Sequence, residues 1–175
     1  KAWQLLAVPT TGQTVNAAWQ EGNAAMGNTV PGYGTLITNN LPGTGFDLIG
    51  GTGPSMKLYD TAGSGSWRGI NRTDTAIYNS KGYMIFVRGS RNVTAYNQSP
   101  ETTVMRVKGP LYTTGANIPP VTAVPAGKFE SVGNPYASAI DFGSLTRSNV
   151  KNSFYIWDPL LAGAYGLGSY VTVSW

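Results

Sequence analysis

Residues 81–91, KGYMIFVRGSR, decide the fold class. Tyr83–Val87 is apolar on both faces, as a strand at the centre of a sheet must be, and Gly82 and Gly89 punctuate its ends. Other short runs lie on either side. Residues 2–8 are mostly apolar. Residues 56–59 alternate Met56 and Leu58 against Lys57 and Tyr59. Residues 103–108 place Met105 and Val107 on one face, with Arg106 and Lys108 on the other. Residues 154–157 form a further apolar run closed by Asp158-Pro159. Residues 170–175 set Val171, Val173 and Trp175 against Tyr170, Thr172 and Ser174. Gly, Pro and Asn separate these runs at roughly 8–12-residue spacing, the rhythm of an all-β sandwich or barrel. One short helix is expected, capped by Thr14, burying Val15, Ala18 and Trp19, and ended by Gly22. Residues 138–145 predict a second helical turn. The expected fold is therefore an all-β antiparallel β-sandwich, immunoglobulin-like or jelly-roll-like, with one short helix and a single domain over 1–175.

Composition narrows the chemistry. The 175 residues are 41% hydrophobic but only 11% charged, against roughly 25% for an average soluble domain. Polarity comes from Ser, Thr, Asn, Gln and 23 Gly. The chain contains neither Cys nor His. Disulfides, thiolate metal sites and Cys nucleophiles are thus excluded, as is any Ser-His-Asp or Cys-His site built from this chain alone. The formal net charge is +4, yet the cations are scattered. Arg68 and Arg72 flank one turn and Arg88 and Arg91 another, which is not the basic stripe of a nucleic-acid binder. No apolar run reaches the roughly 18 residues of a membrane span, so no membrane insertion is expected. Both ends of the chain fall in strand-like runs, so it reads as a fragment of a longer precursor.

Six stretches taken together carry a resemblance: WQLLAVPTTGQTVNAAWQEG (3–22), PGYGTLIT (31–38), GPSMKLYD (53–60), KGYMIFVRGSR (81–91), GKFESVGNPYASAIDF (127–142) and FYIWDPLL (154–161). They resemble a β-rich domain near the C-terminus of very large secreted Bacteroidetes proteins exported by type IX secretion. The resemblance spans nearly the whole chain. It implies an extracellular or cell-surface location and a β-rich architecture more than a function, since no activity can be named for such domains. Where such domains often carry Asp in the turn after Arg-Gly, this chain has Ser90, so an Arg-Gly-Asp-like loop is not expected.

Candidate sites follow from residue chemistry. Tyr59, Trp67 and Tyr78 lie near Gly-rich turns and are candidates for a sugar-stacking platform, because the apolar face of a sugar ring packs on an aromatic ring. Asp60-Thr61-Ala62 and Asp74-Thr75-Ala76 are similar to the O-glycosylation acceptor of exported Bacteroidetes proteins, which makes Thr61 and Thr75 candidate modification sites. Of the eight acids, Glu130 and Asp141 are the best candidates for a glycosidase pair. The expectation against that pair is that Asp141 caps a helical turn and Glu130 faces solvent. No Asp-rich calcium loop is present, and the Gly-rich run at 50–57 lacks the Gly-Lys-Ser/Thr of a phosphate loop. Neither metal nor cofactor is expected.

The last strand, with Tyr170, Val171, Val173 and Trp175, reads as an unpaired edge open to donation into a neighbouring copy. The expected function is a non-catalytic extracellular structural or adhesive module, extending to a subunit of a strand-exchanging filament. The expected partners are other copies of itself or neighbouring β-domains. The alternative is a carbohydrate-binding module with glycans as partners.

Overall fold

Tyr83–Val87 forms β4, the strand that two others flank in a four-stranded antiparallel sheet. The computed structural model describes residues 1–22, 30–49, 53–113, 115, 122–163 and 167–174. In chain order these hold β1 (Ala2–Leu6), α1 (Val15–Trp19), β2 (Met56–Tyr59), β3 (Trp67–Gly69), β4 (Tyr83–Val87), a 3-10 turn (Phe142–Ser144), β5 (Ser153–Asp158) and β6 (Ser169–Ser174). The strand order is β1-β4-β2-β3 in the larger sheet, and β5 and β6 pair as a separate hairpin. The all-β, antiparallel class with one short α-helix is as the sequence reads.

Register assigns each residue of the sheet to a face. Leu6 and Leu58 both lie opposite Tyr83, and Met56 lies opposite Ile85. This inner face is the core, joined by Val8, Val15, Ala18, Trp19, Ile37, Phe46 and Ile77. On the outer face Trp3 lies opposite Phe86, Lys57 opposite Met84 and Tyr59 opposite Trp67. β4 is therefore apolar on both sides because both of its faces are covered.

The helix forms as its sequence dictates. Thr14 Oγ1 accepts from Ala17 N at 3.3 Å, and Val15, Ala18 and Trp19 are the buried positions. Gly22 ends it in the left-handed conformation (φ +75°), its N–H donating to Asn16 O at 2.9 Å. Asp141 likewise caps the 3-10 turn, its carboxylate accepting from Gly143 N and Ser144 Oγ.

Residues 103–108 do not form the expected strand. Met105 and Val107 do pack against the core, and Arg106 turns outward to Glu21, its Nε donating at 2.9 Å. The partner backbone, however, is the turn at 32–34, which bonds at Val104 and no further. A turn offers no continuing row of donors and acceptors, so a single bridge forms in place of a ladder.

One polar cluster fixes the loops that cover the core. Arg91 and Asp47 form an ion pair with both side chains fully buried. Asp47 Oδ2 also accepts from Ile37 N at 3.0 Å and Gln20 Nε2 at 2.9 Å, and Arg91 Nη1 donates to Gln20 O at 2.9 Å. Asp47→Asn leaves the Arg91 charge buried without its anion. The expected loss is about 3–5 kcal/mol, read as a lower urea midpoint with an unchanged denaturant slope.

Candidate functional site

The outer face and the hairpin together bring the aromatic residues into one layer. Opposition of β2 and β3 sets Tyr59 against Trp67, with ring centroids 5.4 Å apart at 81°. Tyr59 OH donates to Gly65 O at 2.7 Å, fastening the ring to the turn that joins the two strands. Asp60 organises that turn. Its carboxylate accepts from Ser64 N and Gly63 N and pairs with Arg68 Nε at 2.8 Å. The backbone donors, first Ser64 and then Gly63, hold its pKa below the ordinary value, and the Arg68 charge adds to this.

The hairpin docks at two points. Trp157 Nε1 donates to Trp3 O at 2.7 Å on β1, and Trp67 Nε1 on β3 donates to Tyr170 OH at 2.8 Å. Since β1 and β3 are the two outermost strands, the hairpin bridges the full width of the sheet. Gly168 permits the approach of Trp157, because a Cβ there would lie 2.5 Å from the indole. The rings then run in sequence: Trp157 to Tyr170 (5.0 Å), Tyr170 to Tyr155 (6.4 Å) and Tyr155 to Phe129 (5.8 Å). Phe129, Tyr155 and Tyr170 remain 57%, 50% and 46% exposed. Together they form an aromatic surface with a polar rim.

The predicted platform is thus only partly assembled. Tyr59 and Trp67 meet, both half-buried. Tyr78 is exposed and stands apart: its backbone N–H donates to Tyr83 OH, on the opposite face of the sheet. Phe129, Tyr155 and Tyr170 are the members that sequence reasoning missed as a platform. Alternation in 154–157 puts Tyr155 and Trp157 on one side of their strand, and that was the available signal.

The two candidate modification sites differ in environment. Thr61 is buried and its hydroxyl donates to Phe129 O at 2.9 Å, which ties the loop carrying Phe129 to the end of β2. Thr75 is exposed, in a turn held by Arg72 and Asp74, with its hydroxyl on Arg72 O at 3.0 Å.

The expectation of an unpaired last strand is corrected. Tyr170 lies opposite Trp157, Val171 opposite Ile156 and Val173 opposite Phe154, in a register that pairs β6 with β5 along its whole length. The two strands run antiparallel, so the edge of β6 facing β5 is already taken. Trp175 lies outside the described residues.

Each of the eight carboxylates is engaged inside the chain. Asp47, Asp60, Asp74, Glu21 and Glu130 hold Arg91, Arg68, Arg72, Arg106 and Lys81. Glu101 accepts from Ser90 Oγ, Asp141 caps its turn, and Asp158 accepts from Leu160 N. Glu130 does not face solvent as expected. Its side chain is 5% exposed and pairs with Lys81 at 2.5 Å, because the bridge between Lys81 and Val132 folds the segment against the sheet. Two concavities of about 240 and 320 Å³ are lined by Pro42 and Leu48 and by Leu5, Ala7 and Val132, with no carboxylate in either. Compared with protein families, curated proteins and solved structures, the chain matches none.

Burial is the main cause that pushes the phenols of Tyr83 and Tyr170 above the ordinary tyrosine value. A raised folded-state pKa means that the unfolded chain releases its protons first as pH rises. The stability is therefore complete below the unfolded value, near about 10, and is lost as pH climbs through the folded values. Thermal unfolding followed into the alkaline range is expected to show a falling Tm, and Tyr170→Phe is expected to make that fall shallower.

Proposed function

We propose that this chain is a non-catalytic structural or adhesive module of an extracellular or cell-surface bacterial protein. The observation that carries this reading is the division of labour among side chains. Every carboxylate is committed to an internal cation, hydroxyl or backbone N–H, whereas the rings of Phe129, Tyr155 and Tyr170 are offered to solvent. General acid–base chemistry needs a carboxyl group free to exchange a proton with substrate. Adhesion needs a rigid surface of large side chains that lose little freedom on contact, and docking by two indole N–H groups supplies that rigidity.

The resemblance to type IX-secreted Bacteroidetes proteins supports the location. On that reading Thr75, not Thr61, is the better O-glycan acceptor, since the Thr61 hydroxyl is buried and in use. Assembly by donation of β6 has lost its motive, because β6 is paired at home. Contact between copies or with neighbouring β-domains falls instead to the hairpin's exposed side, where Ile156 and Val171 are 47% and 38% exposed.

A second reading, a carbohydrate-binding module, is favoured by one specific feature: three exposed rings in a row beside Thr172 and the Asp60 turn, a mixture of apolar faces and polar rim that suits a sugar chain. Beads coated with the chain are expected to adhere to polysaccharide-coated surfaces, and the Phe129→Ala/Tyr155→Ala double variant to release them while its thermal unfolding stays cooperative. Wild-type turnover of chromogenic glycosides would end the non-catalytic reading. Adhesion unaffected by the double variant would remove the aromatic surface from it.

A further inference from the structure

On the outer face of the sheet, two cations have no carboxylate partner among the described residues. Arg88 is only 8% exposed, and its Nη1 is buried with no hydrogen-bond partner. Its one described interaction is with a ring: Cζ lies 5.1 Å from the centroid of Phe86. Lys57 Nζ lies 4.8 Å from the centroid of Trp3, and Trp3 and Phe86 are themselves 5.3 Å apart. The result is a row of cation, two rings and cation across β2, β1 and β4.

Such a row is costly as it stands. A ring quadrupole offsets part of the desolvation of a guanidinium but does not neutralise its charge. A trapped water would satisfy the Nη1 hydrogens, again without cancelling the charge. None of the eight side-chain carboxylates bonds Arg88 or Lys57: five hold other cations, and Glu101, Asp141 and Asp158 accept from hydroxyls or backbone N–H groups. An anion from outside the chain would supply the counter-charge that no bonded carboxylate provides.

We propose that Arg88 anchors an oxyanion-binding site, with Lys57 as a second cation on the same ring pair, and that its ligand is an external carboxylate, sulfate or phosphate group. Guanidinium is suited to this task because its planar fork matches the two oxygens of an oxyanion. The proposal uses none of Phe129, Tyr155 and Tyr170 and does not rest on the adhesive reading. The same chemistry is offered by a free small anion and by an acidic polysaccharide.

Titration of the chain with sodium phosphate and with polygalacturonate, each against chloride of equal ionic strength, tests the proposal by calorimetry and thermal unfolding. The wild type is expected to show saturable binding and a rising Tm with at least one of the two. Response to phosphate identifies a small-anion site, and response to polygalacturonate alone a polymer site. Arg88→Met is expected to bind at least about tenfold more weakly, a difference of about 1.4 kcal/mol, with Arg88→Lys between the two. Without anion, Arg88→Met is expected to unfold at or above the wild-type temperature, because the uncompensated charge is gone. Equal responses from wild type and Arg88→Met would overturn the site, as would no response from either. A clearly lower unfolding temperature for anion-free Arg88→Met would also overturn it, making Arg88 a brace of the fold.

Discussion

The buried pair of Arg91 and Asp47 is the constraint on which the rest of the fold depends. Its two members come from loops, and the groups that complete it, Gln20 and the Ile37 N–H, come from the end of α1 and from a third loop. Removing such charges from water is unfavourable unless nearly every donor and acceptor finds a partner. The arrangement of the loops seen here supplies those partners. The same loops carry Ile37 and Phe46 onto the inner face of the sheet. Among the described residues, the core is closed on that side by irregular chain that a polar cluster locks in place.

The other side is closed differently. There the hairpin lies over an aromatic layer and is tied by indole hydrogen bonds to both outermost strands. This asymmetry separates structure from function. The loop side spends its polar groups internally. The hairpin side keeps large rings half in solvent and gathers cations beside Trp3 and Phe86.

Much of this was legible in the sequence. The unbroken apolar run of β4, the alternation of β2 and β6, and the Thr14–Gly22 bounds of the helix each depend on local spacing, which sequence displays directly. Residues 103–108 show the limit. Their alternation named the correct inward residues, Met105 and Val107, but a ladder also needs a regular partner, and the turn at 32–34 is not one. Glu130 and Thr61 show a second limit. Both are polar residues in turn-like stretches, which read as solvent-facing; Lys81 and the Phe129 carbonyl, far away in sequence, draw them inward. Tyr78 is close to Tyr59 and Trp67 along the chain, yet its backbone N–H bonds the hydroxyl of Tyr83, which lies on the other face of the sheet. Periodicity tells which way a residue points, but not what it meets.

The indole of Trp157 has one more effect. β1 is an outermost strand, and the N–H of Phe86, opposite Trp3, points away from it toward Ser55. The Trp3 carbonyl therefore faces outward, where an incoming strand would seek an acceptor. Trp157 already occupies it. A single side chain thus blunts the middle of an otherwise inviting border, removing one of the acceptors that an added strand would need.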